Sequence, residues 1–380
     1  MKNGKLNVAV VGLGFGGAFV GIYHAHPDVA TVKVCDPDAE KCRYMMENGL
    51  ADGVYADFDA VLADPECDAV HLVTPIPLHA EQTVAVLNAG KHCACTVPMA
   101  TSVEDLYRIA EAKRRSGRRY MMMETTLYTY QYLYARRMLD EGEFGRIQFL
   151  RGSHYQDMAN WPEYWMGLPP MWYGTHAIAP MVGLSGSRIA RVCCFGSGTM
   201  DPALTARYGN PFPVESALFE FENGLKGEAT RSLFECARTY QEGMFVYGSR
   251  ACFEWGFNDG DLPYLTRLHP PKDASVRGGT CTVENPEMPN LYADLPEPLW
   301  PFTVGGNFDP LNPQDSLRKG AGGGHHGSHP HLVNEFVRSV LDDREPAIGV
   351  ALGANITAAG LCAHMSAMRG GASVVVPDIR

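Results

Sequence analysis

Gly12, Gly14 and Gly17 stand at the spacing G-x-G-x-x-G, and Asp36 follows nineteen residues after the last of them. Glycines in that pattern allow a tight turn (Gly12), close approach of the backbone to a pyrophosphate (Gly14) and close packing of a helix on a sheet (Gly17). The phosphates then rest on the positive end of the helix that follows. A carboxylate at Asp36 accepts hydrogen bonds from the adenosine ribose and repels a 2′-phosphate, which predicts NAD rather than NADP. Histidines form the other reactive set. His176 lies three residues after Tyr173 in W-Y-G-T-H-A-I-A-P (172–180), and an imidazole with an ordinary pKa near ~6.5 suits proton transfer at neutral pH. His325, His326, His329 and His331 crowd H-H-G-S-H-P-H. Such a cluster invites a metal, but no carboxylate accompanies it. We read it as a substrate-facing loop, with no metal.

The elements that must position these groups follow from apolar patterning. Val8–Val11 is a short β-branched run of the kind a buried parallel strand needs. Strands are also predicted over 31–35, 69–73, 92–96 and 120–124, with a helix over 80–89 ended by Gly90. A second helix starts at Ser102, with Glu104 and Asp105 in its first turn. This alternation predicts a doubly wound parallel sheet over residues 1–125, with the cofactor at the carboxyl ends of its strands. Residues 126–380 change character. A helix is predicted over 131–143, and strands over 146–155, 216–221, 227–233 and 243–247. Together they suggest an α/β domain with an open mixed or antiparallel sheet. Residues 256–325, rich in Pro, Gly and Asn, read as one long loop. Helices return over 332–341 and 349–368, where they can pack back on the first domain.

The chain has 380 residues, 46% hydrophobic and 20% charged, which is globular. Its net charge of −11 argues against nucleic acid and anionic membranes. No stretch approaches the ~20 apolar residues of a membrane span, and Met-Lys-Asn-Gly-Lys leads straight into the first strand without a signal peptide. The eleven cysteines lack framework spacing, so reduced thiols in the cytoplasm are expected.

T-P-I-P-L-H-A-E (74–81), A-G-K-H-C-A-C-T-V-P-M-A (89–100), Met123-Glu124-Thr125 and L-D-E-G-E-F-G-R-I (139–147) join the glycine fingerprint in resembling the Gfo/Idh/MocA family. That resemblance implies a Rossmann NAD-binding domain before an open-sheet substrate domain, and oxidation of a ring hydroxyl of a sugar or cyclitol. It implies cofactor contacts at Phe15, Thr74, Pro75, His79, Thr96, Pro98 and Glu124, and a homo-oligomer, dimer or tetramer. The chain departs from the family in two places. Thr96-Val97-Pro98 stands where Glu-Lys-Pro is usual, and Trp172 stands where an Asp precedes the catalytic histidine. Val97 has no titratable group with which to assist deprotonation.

The 172–180 segment is similar to the Y-x-T-H-x-x-x-P motif of the NAD-dependent glycosidases of glycoside hydrolase family 109, which also carry Val-Pro. That similarity implies hydride removal at C3 of a sugar, elimination across C1–C2, addition of water and return of the hydride, with NAD recycled. His176 would be the base at C3 and Tyr173 its partner on one helical face. His154 and His325 complete the catalytic candidates. Tyr155, Asp157, Trp172, His326 and His329 are the expected substrate contacts, with Trp161 and Trp165 offering further flat faces for a pyranose ring. Arg231 and Arg238 flank a strand end, where surface ion pairs are favoured over an anion site. A sugar or cyclitol dehydrogenase releasing NADH, and a non-catalytic NAD-binding sensor, stand as alternatives.

Overall fold

The computed structural model describes residues 4–258, 260–273, 275–314 and 323–380. The chain divides into two units. The first comprises Met1–Thr129, Asn290–Ala354 and Ile379–Arg380, and the second Tyr130–Pro289 and Asn355–Asp378. The change of unit therefore falls at Thr129 rather than 125, and the second unit is not one continuous stretch from 126 to 380, because residues 290–354 belong with the first.

In the first unit, six parallel strands run in the order β3-β2-β1-β4-β5-β6. They are β1 (Leu6–Val11), β2 (Val29–Cys35), β3 (Gly53–Val54), β4 (Ala69–Leu72), β5 (His92–Cys95) and β6 (Tyr120–Met122). Helices α1 (Gly17–Ala25), α2 (Ala39–Glu47), α3 (Phe58–Ala63), α4 (His79–Asn88) and α5 (Val103–Ser116) alternate with them. Val8 to Val11 are buried, as a central parallel strand covered on both faces requires. Local chemistry sets the helix ends. Ser102 Oγ accepts from the Asp105 amide, and Gly117 takes the left-handed conformation that ends α5. The strand order reverses direction between β1 and β4, which is where such sheets bind ligands.

The glycine turn divides its labour differently from the sequence expectation. Gly12 has φ +89°, and a Cβ there would lie 2.5 Å from the Val73 carbonyl oxygen. The tightest approach within the turn belongs to Gly16, whose Cβ would stand 2.0 Å from the Gly12 carbonyl oxygen. A Cβ on Gly17 would meet only the flexible tip of Met45. Gly16→Ala is therefore expected to destabilise the first unit by about 1–3 kcal/mol, as overpacking does. Gly17→Ala should cost clearly less, and urea denaturation of the two variants checks the order.

The second unit is built on a nine-stranded sheet in the order β14-β13-β12-β11-β7-β10-β9-β8-β15. After α6 (Tyr130–Asp140) come β7 (Ile147–Tyr155), α7 (Thr175–Ser185), β8 (Ile189–Ser197), α8 (Pro202–Thr205), β9 (Val214–Phe221) and β10 (Lys226–Ser232). Then follow β11 (Gln241–Gly248), β12 (Ala251–Glu254), β13 (Tyr264–His269) and β14 (Thr280–Glu284), with β15 (Val374–Val375) in the tail. Among the described residues of this sheet, only β7 and β10 pair in parallel; the other pairs are antiparallel. The 256–325 stretch is thus not a plain loop, because β13 and β14 extend the sheet within it; residues 259, 274 and 315–322 of it lie outside the described residues. Gly152 lets α7 lie directly on β7, since a Cβ there would reach within 1.9 Å of the Ala177 carbonyl oxygen.

Two tail helices complete the chain, α9 (Gly323–Leu341) and α10 (Val350–Ala367). The α9 segment begins irregularly, with positive φ at His325, His326 and Gly327. Contrary to the sequence expectation, α10 is long and apolar enough by composition to cross a membrane, with mean hydropathy 1.2. It is 83% buried inside the protein, as a core helix is. All eleven cysteines are free thiols.

Candidate functional site

In the first unit, the groups expected to hold NAD collect at the carboxyl ends of β1, β2, β4, β5 and β6. Asp36 follows β2, and its carboxylate accepts from the Leu13 amide at 2.5 Å and the Asp38 amide at 2.8 Å. The side chain expected to face a ribose therefore also shapes the glycine turn. A Cβ on Gly14 would meet nothing within 4 Å, so the loop leaves room for phosphates on that side. The residues present fit a dinucleotide. Phe15 is half exposed on this turn, with His325 and His329 edge-on to its ring at 5.8 and 5.4 Å. His329 is buried against Phe19 at 4.4 Å and His326 is buried too, so neither stands in an open substrate loop as expected.

Beyond β4 and β5, Thr74, Thr96 and Pro98 are organised around His79, which is buried, and Pro75 opens the short turn that leads to it. Its Nδ1 lies 2.8 Å from the Pro98 carbonyl oxygen and its Nε2 2.8 Å from the Thr74 carbonyl oxygen. A ring between two acceptors must donate from both nitrogens, which only the imidazolium does. Burial opposes that charge, but the Cys95 sulfur and the two carbonyls outweigh it and raise the pKa to about 9. Because the folded value exceeds the unfolded ~6.5, the stabilisation is complete below pH ~6.5 and is lost as the pH rises through about 9. Wild-type stability should fall across that window by on the order of 3 kcal/mol, and His79→Gln should flatten the dependence in urea melts. Glu124 follows β6; its Oε1 accepts from the Thr126 amide and hydroxyl, capping a short turn. Val97 is buried.

The second unit holds the proton-handling groups. His154, near the end of β7, stands opposite Glu242 of β11 and opposite Arg231 of β10. These three residues form one row across three neighbouring strands. His176, in the first turn of α7, covers the row, with its ring 5.0 Å from that of His154. Ligand atoms of His154, His176 and Glu242 all lie within 4.8 Å of one another, and all three residues are buried. Tyr173 precedes α7 in a short 3-10 turn (Pro170–Tyr173), so it does not share a helical face with His176. Its hydroxyl nevertheless reaches His176 Nε2 at 3.3 Å. The Tyr240 hydroxyl donates to Glu242 Oε1 at 2.6 Å, and burial followed by that carboxylate holds the phenol in its protonated form.

Arg231 is the largest correction to the sequence reading. It is fully buried and makes no surface ion pair of the favoured kind. Its guanidinium donates to the carbonyl oxygens of Tyr173, His154 and Ser232 and to Gln156 Oε1. Burial draws its pKa down to about 10, so it stays charged at neutral pH. It ties the Tyr173 turn to the end of β7. Arg238, by contrast, is half-buried and lies over Tyr155 and Phe257.

Of the expected substrate contacts, Tyr155 is half-buried, adjacent to His154 and beneath Arg238. Asp157 is exposed and caps the Ala159 amide. Trp172 is not brought to the histidines: it packs edge-on against Tyr208 and His364, each at 5.8 Å. Trp165, edge-on to Tyr173 at 4.7 Å, and the half-exposed Trp161 are the tryptophans on the Tyr173 side. Glu242 and Tyr240 escaped the sequence reading. A charged residue at a buried strand position was the local signal for Glu242; Tyr240, just before that strand, carried none.

A parallel sheet in the order 3-2-1-4-5-6, with a glycine turn at its switch point and an acid after the second strand, defines a nicotinamide-dinucleotide oxidoreductase class. Residues 6–124 match the oxidoreductase family with an NAD-binding Rossmann fold, and residues 132–254 match the GFO/IDH/MocA C-terminal domain. The chain belongs to the Gfo/Idh/MocA family. It is similar to a 1-carboxy-3-chloro-3,4-dihydroxycyclohexa-1,5-diene dehydrogenase of Comamonas testosteroni, 26% identical over 64% of this chain and 59% of that one. It is 25% identical to a glycosyl hydrolase family 109 protein of Saccharopolyspora erythraea, over 60% of this chain and 55% of that one. The chain thus spans just over half the length of these curated relatives. Among solved structures, a levoglucosan dehydrogenase in complex with NADH and levoglucosan shares the fold, with TM-score 0.76, 20% identity and coverage of 98% of this chain and 100% of that one.

Proposed function

We propose that this protein is an NAD-dependent carbohydrate enzyme that oxidises C3 of a glycoside and uses the resulting ketone to cleave the glycosidic bond. The observation that carries the reading is the density of proton-handling groups in the second unit. Oxidation of an alcohol needs one proton acceptor. A redox-elimination cycle needs acid–base groups for the hydroxyl, for C2–H and for the leaving group. His154, Tyr173, His176, Tyr240 and Glu242 meet that larger demand within one cluster. When bound, NAD accepts the hydride from C3 and returns it at the end of the cycle. The C3 ketone acidifies C2–H, its removal expels the aglycone from C1, and water adds back across the double bond, its oxygen to C1 and a proton to C2. In this scheme the His176–Tyr173 pair serves the C3 hydroxyl and His154 serves C2–H. The free thiols support a reducing, cytoplasmic setting, and the open sheet supports a homo-oligomer.

Similarity to dehydrogenases favours a second reading, net oxidation with NADH release. One experiment separates the two. Purified protein is freed of any bound dinucleotide for identification, reloaded with NAD and incubated with aryl and natural glycosides in D₂O. Aglycone release with deuterium at C2 and no net NADH supports the glycosidase. Stoichiometric NADH with a keto product establishes the dehydrogenase instead. Bound NAD with no turnover on the panel overturns both.

A further inference from the structure

We propose that His154, His176 and Glu242 form a binding site for one divalent transition cation, Zn²⁺, Mn²⁺ or Co²⁺ in class, with coordination positions left open for oxygen ligands. The site is in the second unit and is separate from the His325–His331 cluster that first invited a metal. Two imidazoles and one carboxylate are a donor set suited to such ions, whereas Mg²⁺ and Ca²⁺ prefer oxygen alone. The ligand atoms lie within 4.8 Å of one another. Donors bonded to one ion at ~2.1 Å stand about 3–3.5 Å apart, so small side-chain adjustments close the site.

The framework favours such a site. His154 and Glu242 face each other in the register of β7 and β11. His176 comes from α7, which Gly152 allows to lie directly on β7. Ligands on strands and a helix are held more precisely than ligands on loops. The Tyr240 hydroxyl on Glu242 Oε1 at 2.6 Å is the outer contact that orients a ligating carboxylate. The charge balance also says what the open positions take. Buried Arg231 is the neighbour of His154 on β10. Two positive centres against one carboxylate favour an oxygen ligand that gives up its proton, a hydroxyl of a polyol or a water.

The role of the ion, though not its binding, rests on the proposed function: it acidifies the hydroxyl to be oxidised, the proton leaves to water, and His154 and His176 then anchor the ion in place of accepting protons. The test uses the full, untagged chain after chelation and dialysis. Co²⁺ is titrated in, followed by visible d–d absorption and by metal analysis of the dialysed protein. One Co²⁺ per chain is expected, with affinity at least tenfold weaker in Glu242→Gln and in His154→Ala, and about 10–100-fold weaker in Tyr240→Phe. Circular dichroism verifies that each variant is folded. Absence of stoichiometric uptake, or uptake unchanged in folded Glu242→Gln, overturns the site. Undiminished glycoside turnover in metal-free protein that takes up no Co²⁺ overturns the site and leaves the redox reading standing. Co²⁺ uptake without turnover of any glycoside supports the site and removes the redox reading.

Discussion

Turnover of glycosides is expected to fall by about 10²–10⁴-fold when His176 is replaced by alanine, the usual worth of a positioned acid–base group. NAD should remain bound, because the groups that fit it belong to the glycine turn and strand ends of the first unit. The residue touches the Tyr173 hydroxyl and the His154 ring, so its loss removes the centre of the proton-handling cluster. The loss should therefore appear in kcat, with dinucleotide binding by fluorescence unchanged and the far-ultraviolet spectrum preserved. Wild-type turnover in the variant would remove His176 from the mechanism, whether as base or as ligand.

The second large effect is expected at Arg231. Arg231→Met keeps much of the volume and removes every donor to the carbonyl oxygens of Tyr173, His154 and Ser232. Each buried acceptor left without a donor costs about 1–3 kcal/mol, so a destabilisation of several kcal/mol is expected. Thermal unfolding of the second unit should drop by on the order of 10 °C. Arg231→Lys should recover only part of the loss, because an ammonium cannot span the carbonyls as the planar guanidinium does. A variant melting within about a degree of wild type would show that the guanidinium holds nothing together.

How far the sequence carried the reading depended on whether each feature was local. The strands of the first unit are short apolar runs between turn residues, and a central parallel strand needs nothing more. Tyr173 and His176 are near neighbours in the chain, so their pairing was legible although the helix begins only at Thr175. The row of Arg231, His154 and Glu242 was not, because strand register spanning 77 and 88 residues brings them together, and no local spacing encodes it. The β13–β14 hairpin was missed because β14 is exposed along its whole length and lacks buried–exposed alternation. Trp172 was misplaced because it leaves the turn toward His364 while Tyr173, the next residue, turns toward His176. The redivision at Gly16 follows from a backbone approach that no motif spells out.

The bond from Asp36 to the Leu13 amide has a bearing on how the cofactor preference of this chain could be altered. Nicotinamide specificity is commonly regarded as an exchangeable module, set by the residue after the second strand. Here that residue also props up the loop on which any dinucleotide must rest, so preference and affinity are linked traits. A substitution that admits a 2′-phosphate by removing the carboxylate also withdraws the prop. It should weaken both cofactors before it favours either. Conversion to NADP usage therefore requires a pair of changes, one to receive the phosphate and one to restore the acceptor for Leu13. That requirement makes the single-step intermediate poor and the present preference hard to lose by drift.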